Sequence, residues 1–348
     1  MKCVCVQYVE AIRKLHNLYP DWKPKRTVYL TFVPDEEVGG AGMACFLSSE
    51  LYKSIPGIAL ALDEGLASES ETYSVFYGER LPWWVEVKAT GPTGHGSRFI
   101  EDAAVGQIVK LASKALEFRE GQRRILHGEE GAEDHSNCSH AVAAKNRKRN
   151  KKKLGDVTTL NITTLQAGVR AGESFTYNCV PPEARCSLDI RISPHVKPSS
   201  ISEMLDTWCR ECGVPQAGDG NGNGNGNKDS KGKQSHSLEW KYLQHNGQQG
   251  HALTSINRKV NPWYGQFMDT LTDMGLKVEP EVFPAATDSR FLRLLGIRAL
   301  GFSPMRNSEI LLHENDEYLD ESVFLEGIGI YVNLIKKLAN YDPDTELA

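Results

Sequence analysis

The sequence predicts an α/β protein whose mostly parallel sheet is interrupted by a smaller α+β layer. Three observations carry this expectation. Helix and strand patterns alternate through residues 4–62, the order that parallel sheets require. Strand-rich segments then follow with two helices among them, and from about Pro262 the pattern returns to helix, short strand, helix. A length of 348 residues suits two domains. The expected division is one domain in two segments, 1–78 and 247–348, around an inserted domain at 79–246.

In order, Val4, Val6, Tyr8, Val9, Ile12 and Leu15 have broadly helical spacing. No capping residue precedes this helix, and a domain rarely starts inside a core-forming element, so the sequence is expected to be a piece of a longer one. Arg26–Val33 (RTVYLTFV), rich in β-branched and aromatic residues, predicts a buried strand. A helix is expected through Met43–Leu51 and a strand at Gly57–Leu62. The inserted domain is expected to hold strands at Trp83–Lys88, Thr158–Leu165, Glu183–Ile192 and Ser237–Leu243. Its helices are expected at Ala103–Phe118 and Ser199–Cys212. An amphipathic helix, Val323–Leu338, closes the pattern.

Two polar stretches, near 127–153 and 217–236, interrupt the inserted domain. The first ends in Lys145–Lys153 (KNRKRNKKK) and the second contains a Gly-Asn repeat. Both are expected to be solvated loops without chemistry. With a net charge of -5, no nucleic-acid partner is expected. Nor is a membrane, since no apolar run is long enough to span one. Met1-Lys2-Cys3 does not open a signal peptide, so the eight Cys residues are read as reduced thiols of a cytoplasmic protein. Cys209-Arg210-Glu211-Cys212 lacks the second pair that a structural zinc site wants and is read as two thiols on a helix.

Chemistry concentrates at strand ends, where open α/β sheets bind ligands. Glu36 and Glu37 follow the 26–33 segment and precede two glycines; adjacent carboxylates point apart, so one can bind a metal while the other moves a proton. A helix start, where acids favour the dipole, explains them equally well. Glu64 ends the next expected strand, and a glycosidase-like carboxylate pair is a rival reading. His313, in ILLHENDE, is a possible ligand, although a lone His is more often structural. His95 sits among glycines in TGPTGHGSRF, where it would suit a developing oxyanion or simply form a turn. Arg290, in ATDSRF, suits a bidentate carboxylate grip, against the alternative of a surface ion pair.

Taken in order, TFVPDEEVGG, ALDEG, PWW, TGPTGHGSRF, YNCVP, PAATDSRF, GFSPM and LLHENDE resemble the M20 metallopeptidase family. The resemblance implies a zinc-peptidase-like catalytic domain, its N-terminal part missing, with an inserted ferredoxin-like lid and dimerisation domain. It implies metal-dependent hydrolysis of N-acyl-L-amino acids by a homodimer with two zinc ions per subunit. Glu36 would be the general base and acid, Glu37 and His313 would bind one zinc, and Glu64 the other. His95 would reach across the dimer to the oxyanion, Asn178 would contact substrate, and Arg290 would hold its carboxylate. Family members also carry an earlier H-x-D segment and a bridging Asp, which these residues do not include. The zinc site is therefore expected to be incomplete and the stretch itself to show little or no activity. The alternative is a non-catalytic protein that keeps the inserted domain for dimerisation or partner binding.

Overall fold

The computed structural model describes residues 2–129, 152–215, 237–243 and 250–343. Most of the basic run and the whole Gly-Asn repeat lie outside the described residues. The chain begins with α1 (Lys2–Leu18), α2 (Ala41–Ser48), α3 (Glu50–Lys53), β1 (Ala61–Asp63) and β2 (Thr72–Glu79). Next come β3 (Leu81–Thr90), β4 (Gly94–His95), α4 (Ala104–His127), β5 (Thr159–Ala167), β6 (Arg170–Ala171) and β7 (Ser174–Phe175). These lead to β8 (Cys179–Val180), β9 (Glu183–Ile192), α5 (Pro198–Cys212) and β10 (Leu238–Tyr242). The chain continues with α6 (Pro262–Asp273), β11 (Lys277–Phe283), α7 (Ser289–Leu294), β12 (Ala299–Phe302) and α8 (Glu321–Leu338). Two compact units result: Met1–Glu79 with His251–Ala348, and Arg80–Gly250.

The first unit is built on a four-stranded sheet of order β1-β12-β2-β11. β1 runs parallel to β12 and β11 parallel to β2, whereas β12 and β2 are antiparallel. The sheet is thus mixed. Helices α1, α6 and α8 share its core with Tyr73, Val75, Leu300 and Phe302. The Phe302 ring lies within 5.4 to 6.1 Å of the rings of Phe267, Tyr73 and Tyr331, and the Tyr331 hydroxyl donates to the Phe302 carbonyl. Asp320 caps α8 by accepting from the Ser322 N–H, which satisfies one of the helix's free donors.

The second unit has an antiparallel sheet of order β10-β3-β9-β5, with α4 and α5 packed against it. A strand–helix–strand–strand–helix–strand path in that spatial order is the ferredoxin-like layout. β9 shows why: Ala184, Cys186, Leu188, Ile190 and Ile192 alternate with more exposed residues and face the core. Ile201, Leu205, Trp208, Cys209 and Cys212 make the buried stripe of α5, and Pro198 opens that helix where its missing N–H costs nothing. Both thiols of the CxxC pair are free and buried in the core.

Several local expectations are corrected. Arg26–Val33 forms no strand and pairs with none among the described residues, and Val28, Tyr29, Leu30 and Phe32 are exposed. β-Propensity marks a segment that suits a sheet; only a neighbour supplies the hydrogen bonds that make it a strand. The helix expected through Met43–Leu51 breaks at Ser49, whose backbone is extended and whose hydroxyl accepts from Tyr52 N–H to start α3. The strand at Gly57–Leu62 shrinks to β1, because only Ala61–Asp63 has partners in β12. Strand β2 was not anticipated; its partners lie more than two hundred residues further along the chain.

Candidate active site

Glu36 and Glu37 stand on a short 3-10 turn, Glu36–Val38, bracketed by residues with positive φ: Asp35 (67°), Gly39 (130°) and Gly40 (75°). The Gly40 N–H donates to the Asp35 carbonyl at 2.7 Å and closes the loop. A Cβ at Gly40 would come 2.5 Å from Phe291 Cε2 and 2.7 Å from Asp288 Oδ1. Only glycine lets this turn lie so close to the start of α7. From that helix the Arg290 guanidinium lies 4.6 Å from the Phe291 ring centre and donates to the Gly39 carbonyl at 3.0 Å. His313, itself at φ 61°, brings Nε2 to 2.8 Å from Glu37 Oε2.

Asp63 ends β1 and Glu64 follows it. Asp63 Oδ2 accepts from both the N–H and the hydroxyl of Ser289 at 2.8 Å, and Oδ1 accepts from the Glu64 N–H. Burial, then hydrogen bonding and charge from Asp63, push the Glu64 carboxyl far above the usual carboxylate range. Burial, followed by the charges of Glu37, Asp288 and Asp63, pushes Glu36 up to about 7, with Arg290 opposing. Asp288 is pushed to about 6 by burial and by Asp63, again against Arg290. Its Oδ1 is buried without a hydrogen-bond partner among the described residues. Glu36, Glu37, Glu64, His313 and Arg290 therefore all belong to one unit and gather around the ends of β1 and α7.

His95 and Asn178 belong to the second unit, where β4 pairs with β8 and Gly96 N–H donates to the Asn178 carbonyl. Asn178 Nδ2 lies 3.4 Å from His95 Nε2, and His95 Nδ1 is 2.7 Å from the Ser97 hydroxyl. Both side chains are exposed. Asp63 and Asp288 were not singled out by sequence, although each sits inside a quoted motif, ALDEG or PAATDSRF. The signal was there: an acid next to an assigned residue.

A family model described as peptidase family M20/M25/M40 matches residues 1–337. The chain belongs to this family. Aminoacylase-1 of Dictyostelium discoideum is 38% identical over 346 residues, covering 98% of this chain and 73% of that protein. Aminoacylase-1 of Homo sapiens is 36% identical over 344 residues, covering 98% and 70%. The chain is thus an aminoacylase-1-like M20 hydrolase. Among solved structures, an M20 metallo-carboxypeptidase from Sulfolobus solfataricus matches with TM-score 0.58 at 17% identity, covering 97% of this chain and 76% of that one. Aminopeptidase PepT from Bacillus cereus gives 0.59 at 13%, covering 97% and 71%. These two share the M20 fold.

The M20 family is metal-dependent. Glu37 and His313 form a pair, while Glu64 is engaged with Asp63. Among the described residues, no three His, Cys, Asp or Glu side chains converge as a metal group. A catalytic zinc takes three protein ligands. The residues here supply part of a donor set and do not fit a complete zinc centre.

Proposed function

We propose that this site serves the hydrolysis of N-acyl-L-amino acids to a carboxylate and a free L-amino acid, the residues present supplying substrate binding and the proton carrier, with little turnover of their own because the metal donor set is incomplete. The observation that carries this reading is the Glu37–His313 contact beside Glu36, with Arg290 reaching the same turn. Glu36 is the proton carrier. Half-buried and raised to about 7, it suits a group that takes a proton from attacking water and returns it to the leaving amine. Arg290 holds the substrate's free carboxylate through its planar fork of donors. Glu37 with His313 would hold one zinc ion and Glu64 the other, as part of a donor set that these residues do not complete. His95 steadies the oxyanion in the partner subunit of a homodimer, and Asn178 beside it contacts substrate. The setting is cytoplasmic.

The test is release of free amine from N-acetyl-L-methionine, compared with N-acetyl-L-methioninamide, with and without added zinc. Turnover or binding that prefers the free acid supports the proposal; no interaction with either overturns it. The incomplete donor set favours a second reading, a non-catalytic protein that keeps the second unit for dimerisation or partner binding. Stoichiometric zinc together with turnover rules that out.

A further inference from the structure

We propose that Glu79 is a positioning residue for Arg290, acting through the buried turn that starts α7. The proposal rests on the assignment of Arg290 to the substrate carboxylate.

Glu79 ends β2, and its carboxylate is buried. One oxygen accepts from the Thr287 N–H in a short hydrogen bond, and the other accepts from Arg293 Nη1 at 2.8 Å. Arg293 is itself fixed to the sheet, donating through Nε to the Ala299 carbonyl at 3.1 Å and through Nη2 to the Phe76 carbonyl at 3.3 Å. Glu79 thereby holds both the approach to α7 and the helix's fifth residue. From another strand end, Asp63 takes the Ser289 N–H and hydroxyl. Two carboxylates thus pin residues 287–289. The next residue is Arg290, whose own N–H turns back to the Thr287 carbonyl at 3.3 Å.

A two-point grip on a carboxylate depends on a guanidinium held at a fixed angle, since small displacements lose the second hydrogen bond. Arg290 is long and partly exposed, and its contacts with the Gly39 carbonyl and the Phe291 ring can orient the guanidinium only from a backbone that is itself held in place. The Glu79–Arg293 pair gives little net stability, because desolvating two charges offsets most of their attraction. What it supplies is geometry.

The test is calorimetric binding of N-acetyl-L-methionine and N-acetyl-L-methioninamide to the unsubstituted protein and to Glu79→Gln, Glu79→Asp and Arg290→Ala, with melting curves to monitor folding. In Glu79→Gln the affinity for the acid is expected to fall about tenfold while that for the amide stays put. Glu79→Asp keeps the charge near Arg293 but withdraws from Thr287, and is expected to lose acid affinity alone, by less. It also serves if Glu79→Gln does not fold. A structural defect would weaken acid and amide together, which would overturn the positioning role. If Arg290→Ala erases the acid preference and both Glu79 variants keep it, the positioning role alone falls. Equal binding of acid and amide by the unsubstituted protein would remove the carboxylate assignment and this proposal with it.

Discussion

Glu37 Oε2 and His313 Nε2 lie 2.8 Å apart although 276 residues separate them in the chain. The contact joins the turn after the 26–33 segment to the loop before α8, and both partners are largely exposed, at 58% and 75%. An exposed pair of this kind contributes at most about 1 kcal/mol to stability. His313→Ala is therefore expected to leave the denaturant midpoint nearly unchanged while abolishing whatever zinc the protein retains. Urea melts and metal analysis on the same samples check this; a loss of several kcal/mol would mean that the pair is structural.

Glu36 is expected to matter for chemistry and little for binding. Glu36→Gln keeps the size of the side chain but cannot carry the proton, so amide cleavage should fall by about 10²–10⁴-fold with substrate affinity retained. Single-turnover rates and equilibrium binding of N-acetyl-L-methionine separate the two. A parallel loss of both would argue for a role in shaping the turn.

Phe302 is fully buried at the meeting point of three other rings, whereas Leu165 in the second unit is 61% exposed. Phe302→Ala should cost about 3–5 kcal/mol through lost burial and a residual cavity. Leu165→Ala should cost under about 0.5 kcal/mol. Chemical denaturation of both variants tests the contrast.

Asp156 accepts from the Lys153 N–H at 2.9 Å and lies 3.4 Å from His195 Nε2. Burial pushes its carboxyl up, but the hydrogen bonds from His195 and Lys153 outweigh burial and hold it below the usual Asp value. A depressed folded-state value stabilises the protein at pH above the ordinary Asp range, and that stability is lost as pH falls through the folded value. Asp156→Asn keeps an oxygen for the Lys153 N–H but loses the charge, and is thus expected to be less stable than the unsubstituted protein at pH 7. The difference should shrink as pH falls below the ordinary Asp range. A difference that persists into acid would show that charge plays no part.

Much of the second unit was legible in the sequence, because its strands carry their own period. Glu183–Ile192 alternates so cleanly that the strand's ends coincide with the pattern. The first unit was harder to read. Arg26–Val33 has strand composition and no partner strand among the described residues, while Thr72–Glu79 became a central strand through neighbours that local pattern cannot reveal. At the site, Glu36, Glu37, Glu64, His313 and Arg290 were visible at strand ends and in motifs. Asp63 and Asp288 were hidden beside them, and Glu79 and Arg293 work through burial and backbone contacts that depend on the finished fold.

The sheet order has a consequence for how the molecule is made. β2 lies between β12 and β11, yet Phe76 leaves the ribosome roughly two hundred residues before Glu281 and Gly301, which flank it in the sheet. The second unit is continuous, so it can fold while the chain is still growing. The first must wait, keeping β2 uncommitted until β11 and β12 emerge and only then closing one long loop. Nascent chains stalled before β11 should therefore hold a finished second unit beside a first unit still open to chaperones.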